Sequence, residues 1–161
     1  MKVNISQLKC IKEVDKLENK IKVVLKKPNE KAVVTEINNE YEELAEFVDG
    51  LIDMTEHPTI ENVDVILNDM SLMNGMSPNI VVPEWESVFA GPLIFAGYDP
   101  ETGNSISLTD KQVDKVLNYI NRNQVFNMSL DRAYLYSKVI GPFQRCEDEL
   151  EREAVNECQI G

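Results

Sequence analysis

Apolar residues in this 161-residue chain come in short, β-branched parcels closed by turn signals, not in segments separated by helical crossovers. The parcels are KIKVVLKK at 20–27, KAVVTEI at 31–37, LIDMTE at 51–56, VDVILN at 63–68 and VFAGPLIFAG at 88–97. Pro28-Asn29 separates the first two as a hairpin turn, and Asn74-Gly75 marks another tight turn. Parallel strands need crossovers of about a dozen residues or more, whereas antiparallel ones need only turns. The pattern therefore predicts an α+β fold with a mainly antiparallel sheet of about five strands. Gly91-Pro92, inside the last parcel, predicts a bulge or an edge position, because proline cannot donate to a strand ladder.

Helical spacing fills the rest. In NNEYEELAEFVDG (38–50), Asn39 is a candidate cap, acids crowd the first turn and Gly50 can close the end. Tyr41, Leu44, Phe47 or Val48, and Leu51 give that helix a buried face, and Glu40, Glu42, Glu43, Glu46 and Asp49 an outer one. Thr109 and Gln112 form a capping box ahead of the stripe Val113, Val116, Leu117 and Ile120. Ser129 caps a further helix over 129–139. Amphipathic helices are expected at 4–19 (Ile5, Leu8, Ile11, Val14, Leu17) and at 143–158 (Phe143, Cys146, Leu150, Ala154). This divides the chain into an N-terminal helix (1–19), an α+β core domain (20–121) and a C-terminal helical extension (122–161).

Charge is distributed unevenly. The net charge is −12, yet residues 1–31 carry nine lysines against four acids, and residues 32–110 carry sixteen acids with no lysine or arginine. Residues 111–161 are nearly balanced. A field of that sign repels nucleic acid and anionic membranes and attracts cationic surfaces. The like-charge pairs Glu42–Glu46 and Glu36–Glu40 each disfavour the native state by a few tenths of a kcal/mol. Stability does not ask for them, which favours a role for the charge. A solubilising role alone is the simpler alternative.

Signatures of catalysis are missing. There is no phosphate-binding glycine loop, no zinc-protease or serine-hydrolase motif, and a single histidine, His57, ahead of Pro58. Cys10, Cys146 and Cys158 lack metal-ligand spacing and read as reduced thiols. Asp99–Asn104 is rich in oxygen ligands but lacks the spacing of a calcium loop. No catalytic residue, metal or cofactor is expected. The N-terminal MKVNISQLKCIKEVDK has no apolar core, and no apolar run reaches about 18 residues, so the expectation is a cytoplasmic chain.

Over about residues 20–121 the order of features is familiar: the lysine-flanked hairpin, the acidic helix ending Asp49-Gly50, VILND, Ser77-Pro78-Asn79, FAGPLIFAGYD and SLTDKQV. This resembles a small uncharacterised domain family found in phages and mobile elements of Gram-positive bacteria. The matching positions are Gly50, Asn68, Gly75, Pro78, Asn79, Gly91, Pro92 and the SLTDKQV segment, with Asp69 departing from an expected glutamate. The resemblance implies a mobile-element setting, hence a bacterial cytoplasm, and no established activity.

Two functional expectations follow. The first is an inhibitor of a host defence protein, binding stoichiometrically to a basic host partner such as a nuclease or other nucleic-acid-binding effector, with no direct contact to nucleic acid or membrane. Its carboxylates would stand in for phosphates: Glu40, Glu42, Glu43, Glu46 and Asp49, with Glu84 and Glu86 flanking Trp85 as apolar anchor. The second is a sponge for a nucleotide immune signal, its pocket lined by Asn68, Asn74, Asn79, Gly91 and Pro92 and set at a homo-oligomer interface.

Overall fold

A computed structural model describes residues 19–140. The helices expected over 4–19 and 143–158 lie outside the described residues, apart from Asn19. Eight strands form: β1 (Lys20–Lys26), β2 (Val33–Asn38), β3 (Ile52–Glu56), β4 (Val63–Asn68), β5 (Pro78–Val82), β6 (Ser87–Ala90), β7 (Leu93–Tyr98) and β8 (Ser105–Ile106). Three helices accompany them: α1 (Tyr41–Val48), α2 (Asp110–Asn123) and α3 over 130–140. Ser129 caps α3 as expected, its Oγ accepting from Arg132 N–H at 3.3 Å.

All the strand pairings are antiparallel. The main sheet runs in the order β2-β1-β7-β4-β3 with β8 also beside β7, and β5 and β6 form a separate two-stranded sheet. The α+β architecture expected from the sequence is the one that forms. The central strands β1, β7 and β4 are covered on both faces, while the edge strands β2 and β3 stay largely exposed. Val24, Val63, Val65, Leu93 and Phe95 point to one side, where α2 packs through Val113, Val116, Tyr119 and Ile120, together with β5 and β6. Val23, Ile66, Ile94 and Ala96 point to the other, under Leu44 and Val48 of α1. Successive residues of a strand alternate between faces. A strand covered on both sides must therefore be apolar throughout, which explains the unbroken runs in VDVILN and LIFAG.

VFAGPLIFAG does not form one bulged strand. Gly91 turns the chain with φ 78°, and Pro92 offers no N–H. The segment divides into β6, in the small sheet, and β7, which lies between β1 and β4 at the centre of the main one. The sequence reading also passed over β5, whose short run is bracketed by Pro78 and Pro83. Pro78 begins the strand, and Pro83 opens the 3₁₀ turn Pro83–Trp85.

One polar knot lies where these layers meet. Lys26, at the end of β1, has no solvent exposure. Its Nζ donates to the Lys27 carbonyl at 2.8 Å and to Asn79 Oδ1 at 3.0 Å, with the Phe126 ring 5.6 Å away. Asn79 Nδ2 donates in turn to the carbonyls of Lys26 (2.7 Å) and Gly91 (2.8 Å). One carboxamide thus ties the main sheet to the turn that leaves the small one. Burial lowers the Lys26 pKa, an effect the charge of Glu30 partly opposes.

Asn79→Ala removes all three of those bonds and leaves buried polar groups without partners. We expect a loss of about 3 kcal/mol in urea unfolding. Lys26→Met removes the charge along with its need for acceptors and is expected to be the milder change.

Candidate functional site

The acidic helix is set on the sheet by its C-terminal end. Asp49 takes the left-handed conformation (φ 61°), not Gly50 as expected, and the Gly50 N–H donates to the Ala45 carbonyl at 3.0 Å. Asp tolerates that conformation better than most side chains. Asn68 Nδ2 on β4 caps the carbonyls of Val48 (3.1 Å) and Asp49 (3.0 Å), while its Oδ1 accepts from Met70 N–H at 2.8 Å. A Cβ on Gly50 would lie 2.6 Å from that Nδ2, so glycine is required for the approach. At the other end the cap position falls on Glu40, without a side-chain bond. Asn39, the expected cap, donates to the Ser105 carbonyl at 3.2 Å instead.

With Leu44 and Val48 buried beneath, Glu42, Glu46 and Asp49 are exposed and Glu40 and Glu43 half-buried. Among the described residues, none of these five carboxylates meets a lysine or arginine within 4 Å. By contrast, Asp110 at the start of α2 pairs with Lys22 at 3.1 Å.

Glu84, Trp85 and Glu86 do not join this surface. They sit in and just after the 3₁₀ turn between β5 and β6, on the α2 side of the main sheet, whereas α1 covers the opposite side. Glu84 Oε2 accepts from the Tyr119 hydroxyl at 2.7 Å. Burial, reinforced by that bond, pushes the Tyr119 phenol pKa well up. Trp85 is 47% exposed and meets Phe89 edge-on at 6.0 Å. A flat partner surface can engage the α1 acids or the Trp85 turn, but not both together.

The asparagines expected to line a ligand pocket have internal duties. Asn68 caps α1, and Asn79 holds Lys26 and Gly91. Asn74 is exposed on its turn, and Gly91 packs so closely that an added Cβ would lie 2.6 Å from Met76 Sδ. Asn68 and Asn79 therefore have no free amide to offer a nucleotide.

The structure adds a cleft that the sequence did not suggest, around His57 and residues outside the expected sites. A cleft of about 470 Å³ opens at the end of the β3–β4 hairpin, lined by Glu56, His57, Pro58, Glu61, Asp64 and Tyr98 among others. That size is typical of ligand clefts, roughly 300–1,000 Å³. Its wall is well tied. His57 Nδ1 accepts from the N–H groups of Thr59 and Ile60, both at 3.1 Å. Gln112 of the capping box donates to the carbonyls of Glu61 and Asn62, both at 3.3 Å. His57 is 6% exposed, its ring meets Tyr119 edge-on at 4.5 Å, and Nε2 is buried without a hydrogen-bond partner. Burial alone lowers its pKa to about 4, so the imidazole is neutral near pH 7. The cysteines that a thiol–imidazole pair would need lie outside the described residues.

Glu56 and Asp64 are register partners on β3 and β4. Position 64 shares the parity of Ile66, which packs beneath α1, so both carboxylates leave the sheet on the α1 side. Burial raises the Asp64 pKa, and Glu56 raises it further. The available signal was an acid inside VDVILN, a run too apolar to be half exposed.

A protein-family model described as a domain of unknown function (DUF3846) matches residues 21–124. No curated protein and no solved structure matches the chain. Among the described residues no helix is long and apolar enough to cross a membrane, and no cluster of His, Cys, Asp or Glu is arranged to hold a metal ion.

The His57 pKa fixes the sign of an acid effect. The imidazole titrates near 6.5 when unfolded and at about 4 when folded, so the unfolded chain takes up the proton first. The contribution of neutral His57 is full above pH 6.5 and is lost as the pH falls towards 4. His57→Asn keeps an acceptor for the two N–H groups without that titration. Wild type is expected to lose up to about 3 kcal/mol more than this variant between pH 7 and pH 4, read by urea unfolding.

Proposed function

The chain belongs to the DUF3846 family over residues 21–124, a domain whose description assigns no activity, and we propose that it acts by stoichiometric binding, its α1 face occupying a basic nucleic-acid-binding groove of a partner protein. The observation that carries this is a set of carboxylates, without ion-pair partners among the described residues, on one helix held at its C-terminal end by Asn68. Glu42, Glu43, Glu46 and Asp49 form no ion pair with any of the ten lysines and arginines among the described residues, even though Lys27 reaches the Phe47 ring of α1 at 5.8 Å. Among the described residues no ion pair draws on these charges.

Each carboxylate would take the place of a backbone phosphate. A cationic groove is desolvated at similar cost by either anion, and a charge-assisted bond to arginine or lysine offsets it. The acidic field adds steering, which raises the rate of encounter with a basic surface and lowers it for nucleic acid itself. Trp85 and Glu86, on the other side of the sheet, are left out of this contact. The mobile-element setting implied by the motif resemblance makes a bacterial defence nuclease, or another nucleic-acid-binding effector, the fitting target. Inhibition then comes from occupancy and not from turnover.

Two measurements test this. In affinity capture from a Gram-positive host, the bound protein should be nucleic-acid-binding and should be released both by duplex DNA and by raising salt from about 50 to about 500 mM, where screening lengths shrink severalfold. A partner held equally well at both salt concentrations overturns phosphate mimicry. Replacing Glu42, Glu43 and Glu46 together by Gln should weaken that partner's binding by about tenfold or more. The same change should leave thermal stability unchanged or slightly raised, because the Glu42–Glu46 repulsion is gone.

A further inference from the structure

Two charged side chains of the described core are buried, and they differ in one respect. Lys26 is fully enclosed and has both a carbonyl and a carboxamide as acceptors. Asp64 is 7% exposed, and its carboxylate makes no hydrogen bond or ion pair among the described residues. Unpaired buried carboxylates are strongly disfavoured, so such a group calls for an explanation. Its neighbour across the ladder, Glu56, is another acid, which makes the position worse. Asp64 oxygens are not among the buried polar atoms cut off from solvent, and Asp64 lines the cleft at the hairpin end. Its remaining access is therefore into that cleft.

We propose that this cleft is a receptor for an arginine side chain of the basic partner, with the buried Asp64 as its anionic floor, the exposed Glu56 beside it and the Tyr98 ring as a stacking wall. The proposal rests on the binding function argued above and adds to it a defined anchor point on the same side of the sheet as α1. Glu61 adds a third carboxylate at the exposed rim, and no lysine or arginine lines the cleft. Pro58, Pro100 and Tyr98 make part of the wall apolar. A guanidinium suits such a place better than an ammonium. It is planar, weakly hydrated, stacks on aromatic rings and can serve two carboxylates at once. A metal ion fits less well, since no cluster of three or more such ligands is arranged for one among the described residues. The cleft is also preformed. The bonds from Thr59, Ile60 and Gln112 hold its loop, and the Tyr98 N–H donates to the Asn62 carbonyl at 2.8 Å. Little ordering is left to be done on binding.

The test uses the full chain and N-acetyl-L-arginine amide, whose only charge is the guanidinium. Backbone amide NMR shifts should saturate with a dissociation constant on the order of millimolar and be confined to residues 56–64 and 98. N-acetyl-L-lysine amide should bind at least about threefold more weakly. Asp64→Asn, which is isosteric and relieves the repulsion with Glu56, should raise the melting temperature while weakening arginine amide by about tenfold. Glu56→Gln should weaken it as well, and Asp114→Asn, an exposed acid on α2, should leave it unchanged. Shifts that do not saturate, that respond equally to Asp114→Asn, or that survive Asp64→Asn overturn the proposal, as does preferential binding of calcium at the same residues. The cleft and the α1 surface can fail independently. Salt-sensitive capture of a basic partner without Asp64-dependent arginine binding overturns the cleft alone. Arginine binding in the cleft without any basic partner overturns the surface reading alone.

Discussion

Strands covered on both faces, as β1, β7 and β4 are at the centre of the sheet, admit almost no charge, and this shapes the rest of the molecule. α1 closes one side, and α2 with the β5–β6 ribbon closes the other. Every strand residue between them must be apolar or have its polar atoms satisfied. The many carboxylates of the central segment are thereby pushed to helix surfaces, turns and the exposed edge strands, where Glu36 and Asp53 sit. The anionic character of the α1 side is in this sense a product of packing as well as of composition.

The exceptions are informative because the rule is strict. Lys26 is accepted into the interior by a carbonyl and by Asn79, and Asn79 is positioned by two further carbonyls. Asn68 does comparable work for the end of α1. These two amides, with Gly50 and Gly91 beside them, account for four of the positions on which the family resemblance rests. Their role is to join layers. Asp64 has no such partners, and it opens into a cleft. Lys26 is thus satisfied within the fold, whereas the Asp64 carboxylate has no partner among the described residues.

Local chemistry was legible wherever a short-range interaction decides the outcome. The Thr109–Gln112 capping box forms with both of its bonds, at 3.1 and 3.0 Å. The β1–β2 hairpin pairs across Pro28-Asn29, and Ser129 opens α3. Reading failed where a residue's role depends on what arrives from elsewhere. Asn39 looks like a helix cap but is drawn to Ser105, across the fold. Gly91-Pro92 looks like a bulge but is the point where the chain changes sheets. His57, ahead of Pro58, does lie in the loop between β3 and β4, but its burial against Tyr119 of α2 depends on a helix far along the chain.

The sequence by itself determined the antiparallel α+β class, the extent of the acidic segment and the caps of α2 and α3, because all of these follow from spacing and composition along the chain. Tertiary structure alone decided which acids share a surface. It set the Trp85 turn on the far side of the sheet from α1, and it brought Glu56 and Asp64 together at one end of the α1 side. Strand parity and sheet order fix those relations, and both depend on pairings between segments distant in sequence, which no local pattern encodes.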